Sequence, residues 1–292
     1  MRSLLFVPGD DQRKLDKGFG SGADALLIDL EDSVALSRKA EARALTVAFL
    51  KAHAGADGPR LLVRVNALDT GLTDADLDAV MPGAPYGIML PKANGGRDAT
   101  HLGAKLAVRE AENNLVDGAT RIIAIGTETA KSIFTIGTYA GATQRLIGLA
   151  WGAEDLAADI GAETNKAPQG GFSEPFRLAR NLSLFGAAAA EVMPIDTVYT
   201  DFRNEAGLAE ETEQARRDGF TGKMAIHPAQ VAVINRIFTP DAAAIAHARR
   251  IIDVFAANPG AGVVSIEGKM IDRPHLRQAE RIIAQAKAAG VA

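Results

Sequence analysis

Ile122-Ile123-Ala124-Ile125-Gly126-Thr127-Glu128 and Leu146-Ile147-Gly148-Leu149-Ala150-Trp151-Gly152-Ala153-Glu154-Asp155 are built alike: an apolar β-like run, a short break, then a carboxylate. The pattern recurs nearer the N-terminus, where Ile28 leads into Asp29-Leu30-Glu31-Asp32 and Leu61-Leu62-Val63 ends at Arg64. Charges in such places are costly unless they are paired, solvated or bound to a metal. Gathered on one rim of a parallel barrel, they would form a site.

Outward from these runs, strand-like segments fall near 3–8, 24–30, 60–66, 86–91, 121–128, 145–151, 196–201 and 223–227. Nearly all are continuous rather than alternating, as expected for strands covered on both faces. Helix-like stretches separate them, among them 38–53, 97–115, 174–191 and 205–218, with Pro8-Gly9, Pro82-Gly83 and Gly170-Gly171 marking joins. Eight strands alternating with helices over about 250 residues predict an α/β fold, a (β/α)8 TIM barrel. A doubly wound open sheet is the alternative. Residues 1–257 are expected to form the catalytic barrel, with 229–257 as one or two closing helices. Residues 258–292 hold Val263-Val264-Ser265-Ile266, a turn at Glu267-Gly268, Lys269-Met270-Ile271-Asp272, and a final helix opening at Pro274 with Ile282-Ile283 facing inward. A barrel does not need this hairpin-helix extension to close, so it is expected to be a lid, an oligomerisation arm, or both.

The bulk properties exclude several classes. The 292 residues are 47% hydrophobic and 23% charged, with a net charge of −4, so no basic field favours nucleic acid. Cysteine is absent, which removes disulfides, thiolate catalysis and cysteine-based zinc sites. The N-terminal apolar stretch Leu4-Leu5-Phe6-Val7 is too short for a signal peptide and is met at once by acidic residues. No run of about 18 apolar residues suggests a membrane span. These features predict a cytoplasmic protein without nucleic-acid or membrane partners.

In a barrel of this kind, catalytic groups sit at the C-terminal ends of strands. Glu128 after the fifth strand and Asp155 after the sixth would then approach each other. Two carboxylates without cysteine or clustered histidines suit a hard cation, Mg²⁺ retaining several waters. Solvated rim carboxylates or helix caps are the plainer alternative, and Asp155 stands before Leu156-Ala157-Ala158 as a cap does. Arg64 is placed to clamp a substrate carboxylate or stabilise an enolate oxygen, or else to pair with Glu31 or Asp32. Lys92, in Leu90-Pro91-Lys92, offers a Schiff base or a rim ion pair. His227 offers a general base or a cap. Arg13, Lys14 and Lys17 make either an exposed helix face or a phosphate-binding cluster. No Walker or dinucleotide glycine pattern is present.

Seven motifs in order carry a resemblance that covers almost the whole chain: Arg2-Ser3-Leu4-Leu5-Phe6-Val7-Pro8-Gly9, Asp29-Leu30-Glu31-Asp32-Ser33-Val34, Arg64-Val65-Asn66, Leu90-Pro91-Lys92, Glu128-Thr129-Ala130, Asp155-Leu156-Ala157-Ala158-Asp159-Ile160-Gly161 and Gly268-Lys269-Met270-Ile271-Asp272. The sequence resembles the citrate lyase β-subunit family of the HpcH/HpaI aldolase superfamily. That resemblance implies a Mg²⁺-dependent barrel lyase, trimeric or hexameric, that cleaves or forms carbon–carbon bonds next to an acyl thioester. By motif it makes Glu128 and Asp155 the metal ligands, with Glu128 also facing substrate, and Arg64 the substrate-binding cation. It makes Arg13 and Lys17 the coenzyme A phosphate contacts, and Asp272 the acid/base carboxylate, delivered by the lid to a neighbouring subunit. Thr127 departs from the family, which often has an aliphatic residue before the metal-binding glutamate. The implied substrate is a malyl-, citramalyl- or citryl-CoA thioester, split into an acetyl thioester and a 2-oxo acid. Alternatives are a citrate lyase β subunit acting with an acyl-carrier partner, a metal-dependent hydroxy-oxo-acid aldolase without coenzyme A, and a non-catalytic assembly subunit.

Overall fold

The computed structural model describes residues 1–292. Eight parallel strands close into a barrel in chain order: β1 Ser3–Pro8, β2 Ala25–Asp29, β3 Arg60–Arg64, β4 Gly87–Leu90, β5 Arg121–Ile125, β6 Leu146–Ala150, β7 Met193–Asp196 and β8 Gly222–Ala225. Side chains alternate across each strand. Leu4, Leu27, Leu62, Met89, Ile123, Ala150, Ile195 and Met224 meet in the interior. Their neighbours on the other face, such as Leu5, Leu26, Val63, Ile88, Ile122 and Leu149, are equally buried. Both faces are therefore apolar, which is why the strands read as unbroken hydrophobic runs. Each large side chain so buried contributes about 1.5–3 kcal/mol.

One strand is displaced from its sequence-based position. β7 ends at Asp196 instead of starting there, because Pro194 lies within the ladder. A proline lacks the N–H that a strand interior normally uses, so it reads as a boundary. Here its carbonyl still accepts the Thr221 N–H at 3.0 Å.

The connecting helices are α1 Gln12–Phe19, α2 Lys39–Ala52, α3 Thr73–Val80, α4 Gly96–Glu112, α5 Ala130–Ile133, α6 Ala153–Ile160, α7 Glu174–Ala189 and α8 Glu205–Asp218, followed by α9 Pro228–Phe238. None of the helices is long and apolar enough to cross a membrane. The chain forms two compact units, Met1–Asn235 and Arg236–Ala292. The division falls earlier than the expected boundary after residue 257, because α10 (Ala242–Ala257) shares its apolar face with the C-terminal elements. Ala248, Ile251 and Phe255 of α10 pack with Ile266 of β9 (Val263–Ile266), Ile271 of β10 (Lys269–Asp272) and Ala279 of α11 (Arg273–Ala288). The antiparallel hairpin turns at Glu267 and Gly268 with φ of 52° and 76°. Two successive positive φ values match the twist of a two-residue hairpin turn.

Candidate active site

The strand register places Asp29 of β2 directly beside Arg64 of β3. Both continue the inward-facing sets begun by Leu27 and Leu62, so they meet at the C-terminal mouth of the barrel. Arg64 Nε and Nη2 donate to the two Asp29 oxygens, each at 2.7 Å. Its Nη1 lies 2.9 Å from Glu31 Oε2, and the guanidinium stands 4.7 Å from the centre of the Phe6 ring. Burial alone would ease deprotonation of Arg64, but the hydrogen-bonded Asp29 carboxylate reverses this and raises its pKa. Burial likewise pushes the Asp29 carboxyl up, and Arg64 overrides it and holds the group below its usual range. Arg64 is thus a fixed cation. Its principal partner is Asp29; the pairing with Glu31 that the sequence allowed is present beside it, with Asp32 at 3.8 Å.

Glu128 follows β5 through Gly126 and Thr127 and is almost wholly buried. Its Cγ occupies space that a side chain at position 152 would fill: a Cβ on Gly152 would come within 2.6 Å of it. Glycine at the N-cap of α6 therefore leaves the space into which Glu128 turns over the mouth. The Lys92 backbone N–H donates to Glu128 Oε2. Burial, followed by the charge of Asp155, pushes the Glu128 carboxyl up to about 8.

Asp155 lies in the first turn of α6, where the helix end favours negative charge. Gly152 holds the N-cap position, so Asp155 is not the cap that the sequence allowed. Lys92 turns back across the mouth with φ at 51°, a left-handed conformation that costs a lysine about 1–2 kcal/mol. Its ammonium contacts Glu31 Oε1, lies 3.1 Å from Asp155 Oδ1 and 3.3 Å from Asp32 Oδ2. Burial lowers the Lys92 pKa, but hydrogen bonding to Glu31 and the surrounding carboxylates more than restore it, so the group stays an ammonium. That places Lys92 among the ion pairs and not among Schiff-base nucleophiles.

Five carboxylates (Asp29, Glu31, Asp32, Glu128, Asp155) thus gather with two cations, Arg64 and Lys92. The negative excess makes this mouth a candidate for binding a cation. The all-oxygen donor pair Glu128 and Asp155 suits a hard divalent ion. No set of three or more His, Cys, Asp or Glu side chains is arranged to hold a metal. Such an ion would therefore keep most of its positions for water or substrate oxygens.

Arg13, Lys14 and Lys17 lie on α1. Lys14 and Lys17 line a groove of about 280 Å³ with Phe6, Pro8, Ile226 and His227, while Arg13 is exposed outside that lining. His227 behaves as a cap, its Nδ1 accepting the Ala229 N–H at 3.1 Å, and it stacks on Phe202. Asp272 belongs to the second unit and caps α11. His275 Nδ1 lies 2.5 Å from its Oδ1.

Sequence reasoning missed Asp29 and Gly152 as members of the site. Period-two alternation from Ala25 and Leu27 points to Asp29; nothing local points to Gly152.

A family model for HpcH/HpaI aldolase/citrate lyase matches residues 2–228. The chain belongs to this family. A second model, for carbon–carbon bond lyases of the TIM-barrel fold, matches residues 173–291. The chain is 35% identical to the citrate lyase subunit beta of Escherichia coli K12 over 292 residues, covering 99% of this chain and 94% of the relative. It is 36% identical to a (3S)-malyl-CoA thioesterase of Cereibacter sphaeroides, covering 98% and 95%. Among solved structures, protein CitE from Mycobacterium tuberculosis, in complex with magnesium, acetoacetate and coenzyme A, superposes with a TM-score of 0.76 at 30% identity, covering 98% of both chains. The family member described here is a carbon–carbon lyase of the aldolase type.

Proposed function

We propose that this lyase cleaves a 3-hydroxy-acyl-CoA thioester of the malyl, citramalyl or citryl type into an acetyl thioester and a 2-oxo acid, reversibly and with Mg²⁺. The observation that carries this reading is the Glu128–Asp155 carboxylate pair beside the fixed Arg64 cation, in a mouth with excess negative charge. The magnesium, acetoacetate and coenzyme A in the CitE complex support the same assignment. Glu128 and Asp155 would hold Mg²⁺, which would supply Lewis acidity to the substrate oxygens.

In the cleavage direction the hydroxyl proton passes to solvent water, from which Asp272 is recharged as the acid, and the bond between the carbinol carbon and the thioester α-carbon breaks. The released electron pair becomes that of the thioester enolate. Arg64 holds the developing negative charge, since its guanidinium is already anchored and reorganises little. Asp272 donates a proton to the enolate carbon, giving the acetyl thioester, and removes one from the methyl in the reverse direction. The C-terminal unit is the lid that carries Asp272 to the site of a neighbouring chain in a homotrimer or hexamer.

Lys14 and Lys17 in the α1 groove support free coenzyme A over an acyl-carrier subunit, with Arg13 on the exposed side of the same helix. A mass-spectrometric assay of glyoxylate, pyruvate and oxaloacetate release from a panel of thioesters, with and without Mg²⁺, tests the proposal. Mg²⁺-dependent release from a CoA thioester by the purified chain is the expected result. Activity only on carrier-bound citryl thioester, or only with added subunits, would replace it with the citrate lyase β-subunit reading. Unchanged CoA-thioester KM in Arg13→Glu/Lys17→Glu would remove the phosphate assignment.

A further inference from the structure

Lys92 plays no part in the chemistry above, yet several contacts fix its placement in the barrel mouth. Met89 faces the interior, so a continued strand would send residue 92 to the outer face. The left-handed turn at Lys92 prevents that. It aims the backbone N–H at Glu128 and brings the ammonium back between Glu31, Asp32 and Asp155. Strained backbone of this kind persists where the surroundings hold it, commonly at functional sites.

The side chain is neither sealed in nor free. It is 31% exposed, and it borders a recess of about 260 Å³ lined also by Asp69, Asn94 and Asp98. At that exposure the side chain is not packed in place, and Glu31 and Asp32 stay within reach of the ammonium if it leaves Asp155.

We propose that Lys92 is a positioning residue that competes with the divalent cation for Asp155, and so sets how tightly the mouth holds that cation. Its ammonium bridges Glu31 and Asp155 and so holds the acidic cluster together. When a divalent ion binds Glu128 and Asp155, like-charge repulsion drives the ammonium off Asp155, toward Glu31, Asp32 or the recess. The inference rests on the proposed cation ligands.

The test is Mn²⁺ binding without substrate, read by the electron paramagnetic resonance signal of the free ion. Lys92→Met keeps the backbone N–H and removes the charge, and is expected to bind Mn²⁺ about tenfold tighter. Lys92→Arg is expected to stay within about threefold of the parent. Unchanged or weaker binding by Lys92→Met overturns the proposal. A readout on the unmodified protein covers the case in which that variant does not fold: acetic anhydride labelling of Lys92, followed by mass spectrometry. The labelling rate is expected to rise several-fold at saturating Mn²⁺, and an unchanged rate overturns the proposal. A parent protein that binds no stoichiometric Mn²⁺, or binds it equally well as Glu128→Gln, would instead sink the cation assignment itself.

Discussion

Two clusters of charge are buried in the same barrel, and they are built on opposite principles. On the outer side of β7 and β8, Asp196 accepts hydrogen bonds from Trp151 Nε1 and Lys223 Nζ, each at 2.7 Å, while Arg180 Nε lies 3.4 Å away. Lys223 also reaches Glu211, Arg180 reaches Asp218, and Lys166 closes the set on Glu211. Cations and carboxylates are equal in number. Burial would raise the Asp196 carboxyl, yet Lys223 and Arg180 hold it below its usual range. At the mouth, carboxylates exceed cations and Glu128 is pushed up to about 8. A balanced buried cluster needs nothing more and serves the fold. An unbalanced one leaves carboxylate charge that a bound cation would offset, which marks it as a candidate site rather than a strut.

The comparison breaks most visibly at Glu128. Glu128→Gln should lower Mg²⁺-dependent turnover on the order of a thousandfold and remove stoichiometric Mn²⁺ binding. The melting temperature of the cation-free variant should equal or exceed the parent's, because the substitution relieves repulsion. A clear loss of cation-free stability would place Glu128 among the struts.

Asp196→Asn is the converse. It leaves Lys223 buried with one partner fewer and should cost about 3–5 kcal/mol in urea unfolding. Mn²⁺ affinity in the folded fraction should not change. An equal loss of cation affinity would show that the two clusters are one.

The smallest effect is the pH dependence of cation-free stability. Glu128 binds its proton more tightly folded, near pH 8, than unfolded, near about 4.3. Its stabilising contribution is therefore complete below about pH 4.3 and is lost as pH rises through 8. Asp196 is shifted down, so its contribution is present above about pH 3.9 and is lost as pH falls below that. Melting curves of the parent between pH 5 and 8.5 should fall with pH more steeply than those of Glu128→Gln. Parallel curves would refute the buried-carboxylate account of Glu128.

Much of the site was legible because a barrel converts strand order into spatial order. Once the runs ending at Arg64, Glu128 and Asp155 are read as parallel strands, their charges must share one rim. The Asp29–Arg64 pair was less visible, since the choice among Asp29, Glu31 and Asp32 depends on where β2 leaves the ladder. Lys92 was visible only as a rim lysine. Its direction depends on a left-handed turn that a lysine does not advertise. The position of β7 was hidden by Pro194, and the boundary of the C-terminal unit by α10, whose apolar face fits either neighbour equally well as a sequence pattern.

The repeated strand–helix order, the carboxylates and arginine at strand ends, and the hairpin before the last helix are already written in the chain. These are local properties, written in hydrophobic periodicity and turn residues. Tertiary structure alone decided which charges are neutralised. It bound Arg64 to Asp29, laid Glu128 over Gly152, and set Lys92 between Glu31 and Asp155. Charge balance depends on distances and burial between residues far apart in the chain, and only the closed barrel fixes those.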